Sequence, residues 1–437
     1  MSDLAEFADS LDGELFSPDS PGYDAIRRPV NVAYREVRPR LVVRCLSVSD
    51  VVAAIRYATA TGDRIAPRGG GHCFSGRSST HRIVLDLSGL DGISVAAGGI
   101  ATIGAGAQLG PVYAGLHAYG RTLPAGCGPT VGITGLTLGG GIGLLGRKHG
   151  LTCDRLVGVQ IVLPDGSVVD CDDDHEPDLF WGLRGAGGGQ FGVVTSLRFD
   201  TVPEPMTTRI EAHWSDVALE ELVSAWQAWA PDAPDELTVN LSLVSEPGAS
   251  VQATLFGAST LEEGPTCELL REFIDQDSAI ELRAGLPYSQ LKSTFADPRE
   301  VPESALRIRS EFFSHSISRS TLASLLTQLG EPRTTGRRQM SFTAMGGAYN
   351  RVAEGATAFA HRGERFLLEH IAEPADPWVD SSWATAHADS SGRVYLNFPD
   401  PALDDWAAAY HAGNYPRLTD IKKAYDPHRF FDFPQAI

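Results

Sequence analysis

The sequence predicts a fold of mixed α/β and α+β class, built in two parts. A strand–helix–strand pattern followed by a further strand occupies residues 41–88, as expected of an α/β domain. Glycines, of which the chain has 46, are clustered in the first half rather than spread evenly. After the Pro-Glu-Pro segment at 203–205 the glycines become sparse, and alternating strands mix with amphipathic helices. We therefore predict a domain boundary at this segment.

Length, charge and cysteine spacing narrow the class of protein. A chain of 437 residues is long enough to form the hydrophobic cores of two or three domains. The net charge of −19 argues against nucleic-acid and anionic-membrane partners, which require basic patches. Residues 1–22 lack a secretory pattern, and no apolar run reaches the roughly 18 residues of a membrane span. The six cysteines lack CxxC spacing, which indicates reduced thiols and no zinc site. These observations predict a cytoplasmic protein.

The first part begins with a strand at 41–46. Ser49 and Asp50 are the predicted cap of the helix that follows, and Gly62 is its predicted stop. A short strand at 65–71 ends in a glycine loop, and strands follow at 83–88 and 93–106.

The elements after residue 110 follow from periodicity and turn residues. A helix is predicted over 111–120, and strands at 156–163 and 167–171 flank a Pro-Asp-Gly turn, as in a hairpin. Residues 178–199 predict a short helix, a glycine turn and a strand. In the second part we predict strands at 237–244 and 251–256 and helices over 218–229 and 321–330. The final segment predicts a strand at 393–400 and a helix around 414–426.

One glycine cluster places a histidine directly after three glycines, from Arg68 to His72. Successive glycines allow the backbone to approach a ligand, and consecutive N–H groups bind anions. Such a loop suits a pyrophosphate. Taken alone, the segment is equally compatible with a flexible turn and an incidental histidine.

A second cluster has ten glycines between Pro124 and Asp154. This density indicates backbone wrapped around a flat or phosphorylated ligand. Residues 141–146 also match GxGxxG. We interpret this as a false dinucleotide match, because the preceding stretch is too interrupted by glycine for a buried strand and Asp165 lies in a turn.

Together with a third cluster, RGAGGGQFGVV at 184–194, these segments resemble the PCMH-type FAD-binding fold and, within it, the berberine bridge enzyme-like family. The matching segments follow the family's order over essentially the whole chain: 67–76, 129–145, 149–166, 177–195, 346–362, 395–400 and 413–437. The resemblance implies a flavin-linked oxidoreductase with a two-part FAD-binding domain, formed by residues 1–200 and completed by residues 391–437. It also implies a substrate-binding domain at residues 205–390, with an antiparallel sheet backed by helices.

The resemblance also implies site residues. In this family the histidine after the triple glycine bonds to the flavin ring, so His72 is the expected covalent anchor. The other residues expected to line the FAD are Arg68, Gly69, Gly70, Gly71, Ser75, Gly76, Cys127, Gly128, Thr130, Gly132, Gly135, Leu136, Gly139, Gly140, Asp154, Gly192, Val193, Tyr395 and Asn397.

The chain departs from the family at the second flavin anchor. Many members have a cysteine directly before the proline of Pro-x-Val-Gly, whereas here Gly128 precedes Pro129 and the cysteine is Cys127. A shift of one residue in an extended segment turns the side chain to the other face. We therefore expect attachment through His72 alone, with a second bond to Cys127 as the alternative.

The chain departs again at the base. Phe398 occupies the family's tyrosine position and Thr343 another acid–base position, and neither is a strong base. The remaining candidates are Tyr395, Tyr349 and Glu369, followed by Glu311 and His361, and each also has a purely structural interpretation. The lack of an inherited base favours an amine, phenolic or hemiacetal substrate over a glucooligosaccharide.

We expect an oxidase in which the flavin takes a hydride from a small organic substrate and dioxygen reoxidises it to give hydrogen peroxide, without a metal. The alternatives are a dehydrogenase with another acceptor, a flavin-binding protein without catalysis, and a nicotinamide-dependent enzyme. A role in secondary metabolism is suggested only by what the family usually does.

Overall fold

The computed structural model describes residues 4–215, 217–273, 280–295 and 305–437. Its α-helices are α1 (Leu4–Asp9), α2 (Tyr23–Ile26), α3 (Val48–Thr61), α4 (Leu109–His117), α5 (Ile133–Leu138), α6 (Gly146–His149), α7 (Pro177–Leu183), α8 (Leu219–Trp229), α9 (Glu263–Arg271), α10 (Tyr288–Phe295), α11 (Arg319–Gly330), α12 (Ala348–Arg351), α13 (Trp378–His387), α14 (Trp406–His411) and α15 (Tyr415–Tyr425). Its strands are β1 (Glu14–Phe16), β2 (Leu41–Arg44), β3 (Ile65–Arg68), β4 (Ile83–Asp86), β5 (Ile93–Val95), β6 (Ile100–Gly104), β7 (Arg121–Thr122), β8 (Leu156–Val162), β9 (Val168–Cys171), β10 (Val193–Asp200), β11 (Val202–Pro203), β12 (Met206–Trp214), β13 (Leu237–Ser245), β14 (Gln252–Ser259), β15 (Ile280–Pro287), β16 (Arg307–Phe313), β17 (Arg338–Ala344) and β18 (Phe366–Ala372).

The first sheet has the order β1-β2-β4-β3, in which β2, β4 and β3 run parallel and β1 is antiparallel. Helix α3 is the crossover that the sequence predicts, and Gly62 ends it in the left-handed region, with φ of 69°. The predicted cap at Ser49–Asp50 is wrong, because the N-cap is Ser47. The Ser47 hydroxyl accepts from the Asp50 N–H and the Asp50 carboxylate accepts from the Ser47 N–H, so Asp50 acts from the third helical position.

The second sheet is antiparallel, in the order β5-β6-β10-β8-β9. The predicted hairpin joins β8 to β9, with Gly166 at a positive φ of 81° in its turn. Strands β7 and β11 form a separate two-stranded antiparallel ribbon.

A seven-stranded antiparallel sheet follows, in the order β15-β12-β14-β13-β17-β18-β16. One face packs against α8, α11 and α13 through side chains such as Trp226, Leu325 and Trp378. Because side chains alternate along a strand, the residues between these core positions face the opposite side, toward the glycine-rich loops.

The largest core covers both smaller sheets and crosses the predicted domain boundary. The C-terminal residues Leu418, Ile421 and Ile437 belong to it, and so do Tyr288 and Leu291 of α10. Helix α10 therefore packs with the first part of the chain although it follows residue 205. The division into domains remains a prediction.

Arg147 of α6 ties the first part of the chain to the second. Its guanidinium is buried and donates to the carbonyls of Leu237 (3.0 Å), Pro231 (2.7 Å), Ala233 and Met345. All four acceptors follow residue 205.

Residues 393–400, predicted as a strand, are not one. The Val394 N–H donates to Ala409 at 2.9 Å, whereas the Arg393 carbonyl accepts from Phe312 at 2.8 Å. Isolated bonds to two different partners do not make a ladder, and the segment turns at residues 395–398, where the Phe398 N–H donates to the Tyr395 carbonyl at 2.9 Å. Among the described residues, no helix is both long and apolar enough to cross a bilayer.

Candidate active site

A cavity of about 880 Å³ lies between the glycine-rich loops and the seven-stranded sheet, within the range of small-molecule sites. We name its two sides by their composition. The glycine wall consists of residues 69–71, 76, 126–128, 132, 135, 143, 187–189 and 192. The sheet wall consists of Thr238, Asn240, Thr343, Leu367 and Glu369.

The glycine wall forms where two loops pack backbone against backbone. A Cβ built on Gly70 would lie 2.2 Å from the Gly132 nitrogen, and one on Gly132 would lie 2.4 Å from the Gly70 nitrogen. Only glycine permits this approach, so the separate clusters of the sequence become one surface of backbone groups. Such a surface suits a flat cofactor that carries phosphates.

His72 stands at the edge of this wall and lines the cavity. Its Nε2 lies 2.9 Å from the Thr130 hydroxyl, and its Nδ1 has no hydrogen-bond partner in the part of the chain that the structure describes. Burial lowers the pKa of His72 below its usual value, so the imidazole is neutral near pH 7. A neutral ring with one unengaged nitrogen can act as a nucleophile.

Both tyrosine candidates line the cavity, but their hydroxyls are bound to the glycine-rich loop. Tyr395 accepts from the N–H groups of Gly141 (3.1 Å) and Ile142 (3.2 Å) and from the Asn397 amide (2.9 Å). Tyr349 accepts from the Gly143 N–H at 3.1 Å and donates to its carbonyl at 2.8 Å. Burial raises the pKa of Tyr395 to about 12 and that of Tyr349 further. These hydroxyls fix the loop and are poor bases.

Glu369 lies on the sheet wall, on the side of β18 that faces the cavity. Its neighbour two residues before, Leu367, faces the same way, whereas Phe366 and Leu368 point into the helix-side core. Its carboxylate has no hydrogen-bond or ion-pair partner among the described residues, and burial alone raises its pKa to about 8. A carboxyl group that titrates near neutral pH and faces a cavity can accept a substrate proton.

The two lower-ranked base candidates lie away from the cavity. Glu311 is fully buried, and its carboxylate pairs with Nδ1 of His387 at 2.5 Å. His361 is buried against Phe312 and Phe359, and burial lowers its pKa to about 3. Neither can reach a molecule in the cavity.

The structure divides the predicted FAD-lining residues into two groups. The cavity is lined by His72, Gly69, Gly70, Gly71, Ser75, Gly76, Cys127, Gly128, Gly132, Gly135, Leu136, Gly192, Tyr395 and Asn397. The cavity lining does not include Arg68, Thr130, Gly139, Gly140, Asp154 and Val193. Whether either group binds FAD remains a prediction.

Several residues of the second group have another partner that accounts for them. The Arg68 guanidinium pairs with Asp86 at 2.9 Å beneath the glycine loop. Asp154 pairs with Arg362 through two bonds of 2.8 and 2.6 Å, both side chains being buried. Val193, the first residue of β10, is buried in the largest core, and a Cβ on Gly139 would collide with Asn397. Thr130 does not line the cavity, but its hydroxyl contacts Nε2 of His72, which does.

The GxGxxG match at 141–146 lacks the context of a dinucleotide fingerprint. Helix α5 precedes it instead of a strand, and the loop leads only into the four-residue helix α6.

Sequence reasoning missed Thr238 and Asn240 of the sheet wall. Their signal is present in LTVNLSLV, where polar residues at 238 and 240 alternate with apolar residues that join the helix-side core. It predicts a polar face but not what that face meets.

Comparisons with known proteins agree with this geometry. A family model described as "FAD binding domain" matches residues 39–172, and one described as "Berberine and berberine like" matches residues 394–437. The chain is 32% identical over 445 residues to the uncharacterised FAD-linked oxidoreductase YgaK of Bacillus subtilis, covering 98% of this chain and 97% of that protein.

Two further relatives are oxidases. The chitooligosaccharide oxidase of Gibberella zeae is 30% identical over 445 residues, covering 91% of this chain and 87% of that protein. The glucooligosaccharide oxidase of Acremonium strictum, which carries a 6-S-cysteinyl, 8α-N1-histidyl FAD, has the same fold with a TM-score of 0.88. The two chains are 24% identical, and the matched region covers 99% of this chain and 98% of the oxidase chain.

Proposed function

Because the chain belongs to the berberine bridge enzyme-like family and is an FAD-dependent oxidoreductase, we propose that it is an oxidase of a small organic substrate bound between the glycine wall and the sheet wall. The observation that carries this proposal is the cavity itself, with His72 at the edge of one wall and, on the other, the Glu369 carboxylate, which has no partner among the described residues. One wall suits a cofactor and the other a substrate.

FAD, when bound, would supply a two-electron hydride acceptor that dioxygen can reoxidise with formation of hydrogen peroxide. The glycine wall holds the cofactor through backbone N–H groups, and His72 attaches it covalently. The Thr130 hydroxyl engages Nε2 at 2.9 Å and leaves Nδ1 for the bond. Nδ1 corresponds to the N1-histidyl linkage of the Acremonium strictum oxidase.

Glu369 accepts the substrate's O–H or N–H proton while the adjacent carbon gives up its hydride. Its pKa of about 8 leaves a useful fraction ionised at neutral pH and makes the carboxylate a stronger base than an ordinary glutamate. Tyr349 and Tyr395 keep the loop opposite it in position, and Phe398 covers one side of the cavity against Phe74, with ring centroids 5.7 Å apart.

Glu369 changes the expected substrate range. The preference for amines over sugars depended on the lack of a base at the two family positions, and a carboxylate at Glu369 supplies one. We therefore propose a substrate that is an alcohol, a sugar hydroxyl or an amine with a hydrogen on the neighbouring carbon. The chitooligosaccharide oxidase relative supports including oligosaccharides.

Oxygen consumption and peroxide formation by the purified protein, on matched panels of oligosaccharides, alcohols and amines, test this function. We expect a yellow protein that is bleached by substrate without oxygen and recovers its colour with oxygen. Bleaching without reoxidation by oxygen would indicate a dehydrogenase, and a protein without flavin would overturn the proposal.

A further inference from the structure

A buried lysine contacts the cysteine of the glycine wall. The Lys292 side chain on α10 is almost completely inaccessible, and its ammonium nitrogen lies 3.0 Å from the Cys127 sulfur and 3.1 Å from the Ala125 carbonyl. The rings of Tyr113 and Tyr288 enclose it, with their centroids 5.0 and 5.4 Å from the nitrogen.

This environment is unusual for a lysine. Lysine is rarely buried without an acidic partner, because removing its charge from water is costly. Among the described residues Lys292 has no carboxylate partner, and burial lowers its pKa. The side chain can therefore lose its proton more easily than an exposed lysine and become a nucleophilic amine.

The sulfur is accessible to a small oxidant. Cys127 is half-buried and lines the cavity, so a molecule the size of hydrogen peroxide can reach it. The other half-buried cysteine of the cavity, Cys73, faces the Ser75 hydroxyl at 3.5 Å and has no lysine beside it. The two thiols share one cavity and differ in their neighbour.

We propose that Cys127 and Lys292 form an oxidation-dependent covalent cross-link between the glycine wall and α10. Hydrogen peroxide takes two electrons from the Cys127 thiol, which becomes a sulfenic acid while one water is released. The Lys292 amine then attacks the sulfur, a sulfur–nitrogen bond forms, and the sulfenic oxygen leaves as a second water. The pair loses two hydrogens in total, and the chemistry parallels the condensation of sulfenic acids with amide nitrogen.

The cross-link would join residues that are 165 positions apart. It would fix the loop that carries Gly126 and Gly128 to a helix that follows the predicted domain boundary. A sulfur bonded to Lys292 also cannot bond to a flavin, so the cross-link agrees with attachment through His72 alone.

Peptide mass analysis of the wild-type holoprotein tests the proposal. Trypsin should release residues 122–147 with Cys127, 284–292 ending at Lys292, and 69–77 with His72 and Cys73. After treatment with hydrogen peroxide, cleavage at Lys292 should fail. Residues 122–147 and 284–299 should then appear as one species, about 2 Da lighter than their sum, and dithiothreitol should separate them.

Cys73 provides the control within the same sample. It should become oxidised without joining another peptide, because no amine lies beside it. A Lys292→Met variant should likewise show oxygen added to Cys127 and no cross-link.

The proposal is overturned if peroxide converts Cys127 to its oxygen acids while Lys292 remains cleavable, or if a linked pair is about 14 Da heavier through a retained oxygen. Flavin mass on peptide 122–147 would also overturn it. None of these results removes the proposed oxidase function, which depends on flavin and turnover.

Discussion

The glycine wall and the sheet wall enclose one cavity but are built in opposite ways. The glycine wall is made of backbone from short contiguous segments, Cys127 is its one side chain, and the hydroxyls of Tyr349 and Tyr395 hold the neighbouring backbone. The sheet wall consists of side chains from β13, β17 and β18. Its residues on β13, Thr238 and Asn240, precede Thr343 on β17 by more than 100 positions.

This difference separates two tasks. A backbone wall binds groups common to every turnover and tolerates little change where its loops meet, because a Cβ at Gly70 or Gly132 would collide with the opposite loop. A side-chain wall can vary at alternate strand positions without disturbing the core behind it. We therefore expect changes in the glycine wall to affect the cofactor, and changes in the sheet wall to affect the substrate and its proton.

Substitution of His72, at the edge of the glycine wall, should have the largest effect, which is the complete loss of covalently bound flavin. We expect His72→Ala to lose all flavin that survives acid precipitation, because Nδ1 of His72 is the proposed attachment atom. Visible absorbance of the precipitated protein measures this, and Cys127→Ala is the matched control that should retain its flavin. Flavin that remains bound to His72→Ala would show that Cys127 is an anchor.

Substitution on the sheet wall should slow turnover and leave the cofactor in place. We expect Glu369→Gln to lower kcat/KM by about 10²–10⁴-fold, the usual contribution of a general base, with flavin content unchanged. Thr343→Ser, on the same wall, is the control for altered packing.

The pH dependence of turnover sharpens this result. Glu369 must be ionised to accept a proton, so activity of the wild type should rise with pH through about 8, the pKa that burial gives it. Glu369→Gln should lose this rise. A wild-type profile that is flat between pH 6 and 9 would argue against Glu369 as the base.

Breaking the buried ion pair between Asp154 and Arg362 should lower the stability of the protein more than it slows the reaction. Removing Asp154 leaves Arg362 buried without its partner, so we expect Asp154→Ala to cost about 3–5 kcal/mol in the free energy of unfolding. Asp420→Ala, which breaks an exposed pair with Lys423, should cost less than about 1 kcal/mol. Denaturant titration measures both, and loss of flavin without loss of stability would return Asp154 to the cofactor site.

The smallest effect is expected at Tyr349. Tyr349→Phe removes two bonds to Gly143 and leaves a buried N–H unpaired, at a cost of about 1–3 kcal/mol. Turnover should change far less than in Glu369→Gln. A rate loss as large as that of Glu369→Gln would identify Tyr349 as the base instead.

Much of the fold follows from local pattern. The β2–α3–β3 unit, the β8–β9 hairpin and the alternating strands β13 and β14 occur where periodicity and turn residues predict them. The glycines of this wall were also visible in the sequence, because they fall in three short clusters and their type itself carries the signal, whereas the contact between the clusters required the structure.

The sheet wall was not predictable to the same degree. The sequence offers Glu369 as one of several candidates, but its selection depends on which strand face meets the cavity and on the hydroxyls of Tyr349 and Tyr395 being occupied. The cap at Ser47 was missed because Asp50 acts from the third helical position. The false strand at 393–400 has an apolar pattern but bonds to two different partners.

Arg147 has a consequence for the order in which the chain can fold. During synthesis residues 1–200 emerge first, yet the four carbonyls that satisfy this buried guanidinium belong to residues 231–345. Until those residues leave the ribosome, α6 must keep a charged group in water and cannot dock in its final position. The half of the chain with the glycine clusters therefore completes its structure only after the half that forms the seven-stranded sheet has been made.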